Sequence, residues 1–352
     1  MIILGIESSC DDTAAAVVSQ GVDILSSVVS SQLEAHHPFG GVVPEIASRE
    51  HMAAIAPVVE EALQTAGVAF NEIDAIAATM GPGLIGSLLV GFSFAKACAF
   101  ALDIPWVGVN HLEGHVNSVF LEPDSPSFPF VALLASGGHT SIYHVVSHTR
   151  MELMGQTRDD AAGEAYDKVS AMLGSGYPGG KIIDDLAHAG TPGKVSFPRS
   201  YLDKEAFDFS FSGIKTAVNR YIQMETGQME TDEGRLSKQD IAAEFQEAVT
   251  EVLVWKLIQA ALKKECRQIA VVGGVAANRR LRERVAADAA EHGIQAFLPS
   301  PSLCGDNAAM IAATGYYHLL EQDPARRKSG FDADVFSKIP RPPISKKRPK
   351  TS

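Results

Sequence analysis

The chain has 352 residues, 46% of them hydrophobic, and a formal net charge of -12. That length holds two domains with ordinary cores, and the composition excludes a disordered or low-complexity chain. The acidic balance excludes bulk nonspecific binding to nucleic acid, and four scattered cysteines (Cys10, Cys98, Cys266, Cys304) exclude a disulfide framework or a zinc ribbon.

Residues 1–6, MIILGI, read as a buried strand running into a small polar loop, ESSCDDT, and a second apolar run at 14–18. Such a hairpin offers Ser, Thr and Asp side chains with backbone N–H groups, which suits a phosphate cradle and also a plain turn. The chain opens on this strand with no basic leader, and no apolar run reaches the ~18–20 residues of a membrane span. The longest candidate, 84–102, is interrupted by Gly86, Ser87, Gly91, Ser93 and Lys96. A cytoplasmic chain without a membrane contact is the expectation.

A strand near 73–79, the Gly-rich MGPGLIGS, a helix through 102 and the strand IPWVGV follow, leading into VNHLEGHVNSV at 109–119. If 112–120 is helical, His111 and His115 lie on one face about one turn apart. That spacing lets both share one metal ion. It also fits a helix turn carrying two half-exposed histidines, so the motif alone leaves both open.

The opening pattern then recurs. FVALL, ASGGHT and SIYHVV repeat the strand, small loop and strand of MIILGIESSCDDTAAAVV. In the same way 268–272, GGVAANRRL, a helix through 291, IQAFLPS and CGDN repeat strand, Gly-rich loop, helix, strand and polar cluster. Internal duplication is a fold-level signal. A pseudo-twofold would set His111 and His115 opposite Asp306 at a shared cleft, the usual ligand site of open α/β sheets. Two imidazoles and a carboxylate with positions left open match a catalytic metal site.

An insert spans about 150–240. Its helix GQTRDDAAGEAYDKVSAMLG carries Asp160, Glu164 and Asp167 at three- to four-residue spacing, ended by SGYPGG before KIIDDLAHAG. Asp167 could bind ribose hydroxyls or be a solvated helix carboxylate. SFPRS and FDFSFSG suggest turns and a short edge hairpin, and 226–240 a polar loop. Residues 241–265 suggest a long amphipathic helix, and 338–352 a basic, Pro-rich tail. The basic helix RRLRER (279–284) and KKRPK (346–350) are the candidate cationic patches, each of which also suits a solvated face or a loose terminus.

A duplicated hairpin with phosphate loops and a central cleft resembles the ASKHA fold of actin, Hsp70 and hexokinase. Within it, GIESSCDDT, GGVVPEIASREH, GPGLIGSLLVG, HLEGH, LLASGGHT, DDAAGEAYDK, YPGG, FSFSGIKT, GGVAANRRLR and CGDNAAMIA, in that order from about 3 to 317, resemble the TsaD family. The resemblance implies an α/β, two-lobed, duplicated fold: a first lobe of 1–128 with 308–325, and a second of 129–307 including the helical insert. It implies transfer of a threonylcarbamoyl group from L-threonylcarbamoyl-adenylate to the adenosine 3′-adjacent to the anticodon, in tRNAs reading ANN codons, with release of AMP. It implies one divalent ion per subunit on His111, His115 and Asp306, Fe(II) first and Zn(II) as the alternative. Leu134, Ala135, Ser136, Gly137 and Gly138 would hold the phosphate side of the adenylate, and Asp167, Gly180, Asp184 and Asn278 the ribose and adenine. Partners implied are tRNA, a TsaB-like heterodimer subunit and a TsaE-like ATPase. Lys181 stands where the family often has Pro, and Asp11–Asp12 where many members have Asp–Glu.

An activated carbamoyl donor requires orientation of two substrates and charge stabilisation rather than a covalent enzyme intermediate. Asp11 is the candidate acceptor of the amine proton. A metalloprotease would place its base directly after the first histidine, whereas Glu113 lies about 200° around the helix from His111. An ASKHA-type small-molecule kinase is the rival from fold alone, and it predicts Mg held by carboxylates and waters.

Overall fold

The computed structural model describes residues 1–201, 206–228, 236–322 and 330–338. The polar loop expected at 226–240 lies partly outside the described residues, and the basic tail lies outside them beyond Lys338.

Two five-stranded sheets form the framework. Strands β1 (Ile2–Glu7), β2 (Asp12–Ser19), β3 (Asp23–Ser31), β4 (Ala75–Gly81) and β5 (Trp106–Asn110) order themselves β3-β2-β1-β4-β5. Strands β6 (Phe130–Ala135), β7 (Thr140–Ser147), β8 (Arg150–Gln156), β9 (Gln268–Val272) and β10 (Gln295–Phe297) order themselves β10-β9-β6-β7-β8. Read from the other edge, the second order repeats the first, with two antiparallel pairings followed by two parallel ones in each. The duplication expected from sequence is therefore present strand for strand.

Between the strands lie α1 (Leu33–His36), α2 (Pro44–Ala66), α3 (Ile85–Leu102), α4 (His111–Asn117), α5 (Ala162–Met172), α6 (Gly179–His188), α7 (Ser212–Gln228), α8 (Lys238–Lys263), α9 (Arg279–Glu291), α10 (Pro301–Cys304) and α11 (Ala308–Glu321). Central strands buried on both faces read as continuous apolar runs, and β1 is one. Its Leu4 and Ile6 join Ile55, Val59 and Phe92 on the face covered by α2 and α3. Its Ile3 packs with Ala308, Ile311 and Ala312 of α11 on the other. At Gly5 a side chain would meet the Ala308 carbonyl oxygen at 2.2 Å, so the helix rests on the bare backbone.

Five elements differ from the sequence reading. Strands β3 and β8 were not expected; both are sheet edges with partly exposed, Ser-rich or charged faces that give little hydrophobic signal. Helix α7 starts at Ser212, inside the segment expected as an edge hairpin; Phe209 instead forms a parallel bridge with Thr157, just past β8. Helix α8 is not amphipathic but buried on most of its faces. Its polar residues are matched individually: Asp240 to Lys194, Glu244 to Arg199, and the Lys256 ammonium to the Ala206 and Asp208 carbonyls. Helix α3 is long and apolar enough, by length and composition, to cross a membrane, contrary to expectation. Here Leu88, Phe92, Ala95 and Ala99 are buried, and its Phe92 and Ala95 sit with Ile6 and Trp106 in the first-lobe core.

The lobes also meet through aromatics. His148, in the β7–β8 turn, stacks on Tyr317 of α11 at 3.4 Å, with Phe120 and Phe128 against its edges. Burial there holds its imidazole down at about 4, from an ordinary 6.5. The unfolded chain takes up the proton first as pH falls, so this contribution is complete above pH 6.5 and is lost as pH drops through about 4. His148→Phe keeps the stack and removes the titration. Urea unfolding at stepped pH should show a flatter loss of stability between pH 6.5 and 4 in this variant than in the wild type.

Candidate metal centre and nucleotide cleft

Strand β5 ends at Asn110, whose side-chain oxygen accepts the Leu112 N–H and starts α4. His111 and His115 are thereby on one helical face, with ring centroids 4.6 Å apart and both rings buried. Asp306 lies in the turn between α10 and α11, where Asn307 caps the second helix by accepting the Met310 N–H. Its Oδ1 stands 3.1 Å from His115 Nε2 and 3.7 Å from His111 Nε2. The expected trio is brought together, with its ligand atoms all within 4.8 Å of one another.

The donor set fits a divalent cation. Both ring nitrogens of His115 are buried without a hydrogen-bond partner, the 3.1 Å approach to Asp306 being out of hydrogen-bond alignment. A buried polar atom left unpaired is costly and calls for an explanation, and two imidazoles with one carboxylate suit Fe(II) or Zn(II).

Glu7, the last residue of β1, lies behind His111. It is fully buried, and its Oε2 accepts from Thr79 Oγ1 at 2.7 Å and faces His111 Nδ1 at 3.0 Å, while its Oε1 accepts the Ser9 N–H. Burial alone would lower the His111 imidazole, yet the carboxylates of Asp306 and Glu7 raise it to about 9. Burial works against ionised Asp306 as well, and the charges of His111 and His115 outweigh it, holding that carboxyl well below its usual range. Without a cation the two carboxylates thus hold a proton on His111, which a metal ligated by its Nε2 would displace.

A cavity of about 220 Å³ opens between the β6–β7 turn, α5, the start of α6 and the loop after β9. Of the expected nucleotide residues, Gly137, Asp167, Gly180 and Asn278 line it. Leu134 and Ala135 are buried in β6 behind it. Ser136 closes the turn by exchanging hydrogen bonds with His139, and Gly138 is exposed beside Gly137. Asp167 Oδ1 accepts the Gly179 N–H at 2.7 Å, and burial raises its carboxyl, with nearby Asp11 adding to the effect. Asp11, in the β1–β2 turn of the first lobe, thus lies close enough to act on this carboxyl. Asp184 does not line the cavity. It is held behind Asn278, accepting from Asn278 Nδ2 at 3.1 Å and Arg279 Nε at 2.7 Å.

The basic helix α9 is not a free cationic face. Arg279 pairs with Asp184 and Asp185, Arg280 and Arg284 both pair with Glu247 of α8, and Arg282 donates to the Ala276 and Pro299 carbonyls. These guanidinium groups fasten α9 to α6, α8 and the loop before α10. Glu113 points away from the trio, its Oε2 2.8 Å from His318 Nε2, as the helical geometry of HLEGH predicts.

Sequence reasoning missed Glu7, Thr79 and His139. His139 follows the Gly-Gly turn, and burial together with the nearby His111 and His115 holds its imidazole down at about 4, neutral at physiological pH. One signal for Glu7 was present: a carboxylate ending an otherwise apolar central strand has to be buried, and a buried charge requires partners.

The chain matches the family TsaD, tRNA N6-adenosine threonylcarbamoyltransferase, over residues 23–313. It is 60% identical over 338 residues to a protein of Desulforapulum autotrophicum named tRNA N6-adenosine threonylcarbamoyltransferase, covering 96% of this chain and 99% of that one. A Symbiobacterium thermophilum protein of the same name is 54% identical, covering 90% and 91%. Among solved structures, full-length HypF superposes with a TM-score of 0.60 at 14% identity, covering 91% of this chain and 47% of that one. Component A of (R)-2-hydroxyglutaryl-CoA dehydratase from Acidaminococcus fermentans does so at 0.55 and 14%, covering 91% and 100%. Those two likenesses show the two-lobed fold alone. Identity at 54–60% over nearly the whole length shows more: the chain belongs to the TsaD family.

Proposed function

We propose that this chain transfers the threonylcarbamoyl group of L-threonylcarbamoyl-adenylate to N6 of the adenosine 3′-adjacent to the anticodon, in tRNAs reading ANN codons. The observation that carries the reading is the His111–His115–Asp306 trio, with both imidazoles buried, together with a cavity lined by Gly137, Asp167, Gly180 and Asn278, in a TsaD-family chain. The N6–carbonyl bond forms, the carbonyl–oxygen bond to the phosphate breaks, AMP leaves, and the amine proton passes to a base.

His111, His115 and Asp306 would hold one divalent ion, Fe(II) or alternatively Zn(II). Bound there, it supplies Lewis acidity to the carbamoyl carbonyl or to the departing phosphate. Ser136, Gly137 and Gly138, at the end of β6 after Leu134 and Ala135, cradle the phosphate with their backbone. The space above Gly137 and Gly138 is open, so glycine here serves close approach to a ligand and not packing. Asp167, Gly180 and Asn278 hold the ribose and adenine, with Asp184 fixing Asn278 from behind. Asp11, close enough to Asp167 to act on its carboxyl, takes the proton from N6 late in the step. A neutral His139 beside the trio keeps that side of the cleft from adding positive charge.

tRNA is the nucleic-acid substrate, which supports a cytoplasmic chain. A net charge of -12 and an arginine helix engaged within the fold leave little cationic surface for an RNA backbone among the described residues. A TsaB-like subunit and a TsaE-like ATPase therefore complete the tRNA-binding assembly.

Purified chain with these partners, tRNA transcript and the adenylate should yield the modified nucleoside by mass spectrometry. His111→Ala should lower the rate roughly 100-fold or more. Undiminished activity in that variant, or phosphorylation of a small alcohol by the wild type, would sink the reading. Asp11→Asn should lower kcat about 100-fold with little change in KM for the adenylate.

A side chain at Gly163 would meet the Ser136 carbonyl oxygen at 2.7 Å. Gly163→Ala should push the phosphate turn and weaken AMP binding about tenfold by calorimetry. Arg280→Gln with Arg284→Gln should lower the melting temperature and leave the salt dependence of tRNA binding unchanged. A slope smaller by about one per arginine would make α9 an RNA surface after all.

A further inference from the structure

We propose that Glu7 is a positioning residue for the metal centre: its buried carboxylate fixes the ring orientation and tautomer of His111 and so sets the affinity of the site for a divalent cation. The inference rests on the metal reading given above and extends it to a residue outside the ligand trio.

The strand ladder builds the arrangement. Strands β1 and β4 run parallel with Ile6 beside Ala78, which brings Glu7 next to Thr79 at the carboxyl end of the sheet. Thr79 in turn pairs with Val109 of β5, two residues before His111. Three neighbouring strand ends thus deliver an acid, a hydroxyl and an imidazole to one point. Glu7 Oε1 receives the Ser9 N–H at 2.5 Å, and Oε2 receives Thr79 Oγ1 at 2.7 Å with His111 Nδ1 at 3.0 Å. Among the described residues, its one ion pair is the one with His111.

An ionised carboxylate can only accept. Facing it, His111 Nδ1 must carry the hydrogen, which leaves the Nε2 lone pair directed at the side where Asp306 stands 3.7 Å away. Carboxylate–imidazole pairs of this kind orient ligating histidines and raise their basicity. His115 has no such brace, since its Nδ1 is buried with no partner. The centre is therefore anchored through one of its two imidazoles.

Glutamine cannot replace this acid. If its oxygen stays on Thr79 and His111, its NH₂ faces the Ser9 N–H, donor against donor. If the amide turns over, its NH₂ faces His111 Nδ1 and selects the tautomer with hydrogen on Nε2, which blocks the coordinating atom. Thr79→Val keeps the carboxylate and removes one donor that aims it.

Metal-stripped wild type, Glu7→Gln, Thr79→Val, Glu113→Gln and His111→Ala would be titrated with Zn(II) against a chromophoric chelator at pH 7.5. Thermal melts of the metal-free proteins would verify folding. Glu7→Gln should bind 10–100-fold more weakly than wild type, Thr79→Val about threefold to tenfold more weakly, and Glu113→Gln, on the same helix but facing away, within twofold. Co(II) absorption should show a changed ligand field in Glu7→Gln alone of the non-ligand variants. If Glu7→Gln does not fold, Thr79→Val decides. Affinities of Glu7→Gln and Thr79→Val within twofold of wild type would overturn the inference and leave the metal reading standing. Wild type binding no better than His111→Ala would remove both.

Discussion

Much of this molecule depends on how closely one helix approaches one sheet. Helix α11 rests on β1 at Gly5, on β4 through Gly315 against Ala77, and on α4 through Gly114 against Ile311. At each place a methyl group on the glycine would come within 2.9 Å of its neighbour, and close-packed interiors absorb such intrusions only by moving. These contacts bracket the candidate centre. Gly5 lies two residues before Glu7, Gly114 lies between the two histidines, and Ala308 lies two residues after Asp306. The separation of Asp306 from His111 and His115 is therefore set by backbone packing, not by the flexible reach of side chains. That rigidity suits a site whose ligands come from segments about 190 residues apart in the chain.

Charge is arranged with equal economy. The protein is acidic, yet its carboxylates fall into two groups. Glu247, Asp184, Asp185, Glu244 and Asp240 are matched to arginines and lysines and hold α9, α6 and the loops after α6 around the buried α8. Glu7, Asp11, Asp12, Asp167 and Asp306 form the other group, close enough to act on one another electrostatically, without a lysine or arginine bridge among the described residues. Burial there raises Asp12 to about 7, with Asp306 and Asp11 adding to it. A cleft lined this way attracts cations and repels a bare phosphate. That makes a bound cation and the open backbone at Gly137 and Gly138 complementary requirements for a nucleotide carrying a phosphate.

The duplication was legible because its signal is long: a hairpin and then a strand, Gly-rich loop, helix, strand and polar cluster recur in the same order in both halves and cannot slide past one another. Pairing the halves then placed Asp306 opposite HLEGH, and the distances agree. What escaped notice has local causes. Edge strands β3 and β8 lack a clean two-residue alternation, and α8 lacks an amphipathic stripe because it is surrounded. The arginines of 279–284 look cationic in sequence, since nothing local shows that Glu247, 33 residues earlier than Arg280, reaches them. Asp184 was placed at the nucleotide by motif, but its oxygens are taken by Asn278 and Arg279, which puts its influence one residue behind the cavity. Glu7 was read as the start of a loop, although the ladder carries it as the last strand residue, opposite Ala14.

The two halves differ most informatively at that position. Glu7 pairs with Ala14 at the closed end of the first hairpin, and the equivalent pair in the second is Ala135 with Thr140. One half thus ends its central strand on a buried acid and the other on a methyl group. After Glu7 the turn continues with Ser, Cys and Asp; after Ala135 it continues with Ser136, Gly137, Gly138 and His139, short and open to ligand. A carboxylate at position 135 would stand next to the Ser136–Gly138 turn and repel a phosphate there, and an alanine at position 7 would take the acceptor from Thr79 and leave His111 Nδ1 only the Ser9 hydroxyl at 3.2 Å. Of two hairpins with matching strand order, one thus carries a buried acid at its central strand end and the other carries none, the difference expected if the first half holds a cation and the second a phosphate. The pseudo-twofold then brings those opposite preferences to the two sides of one cleft.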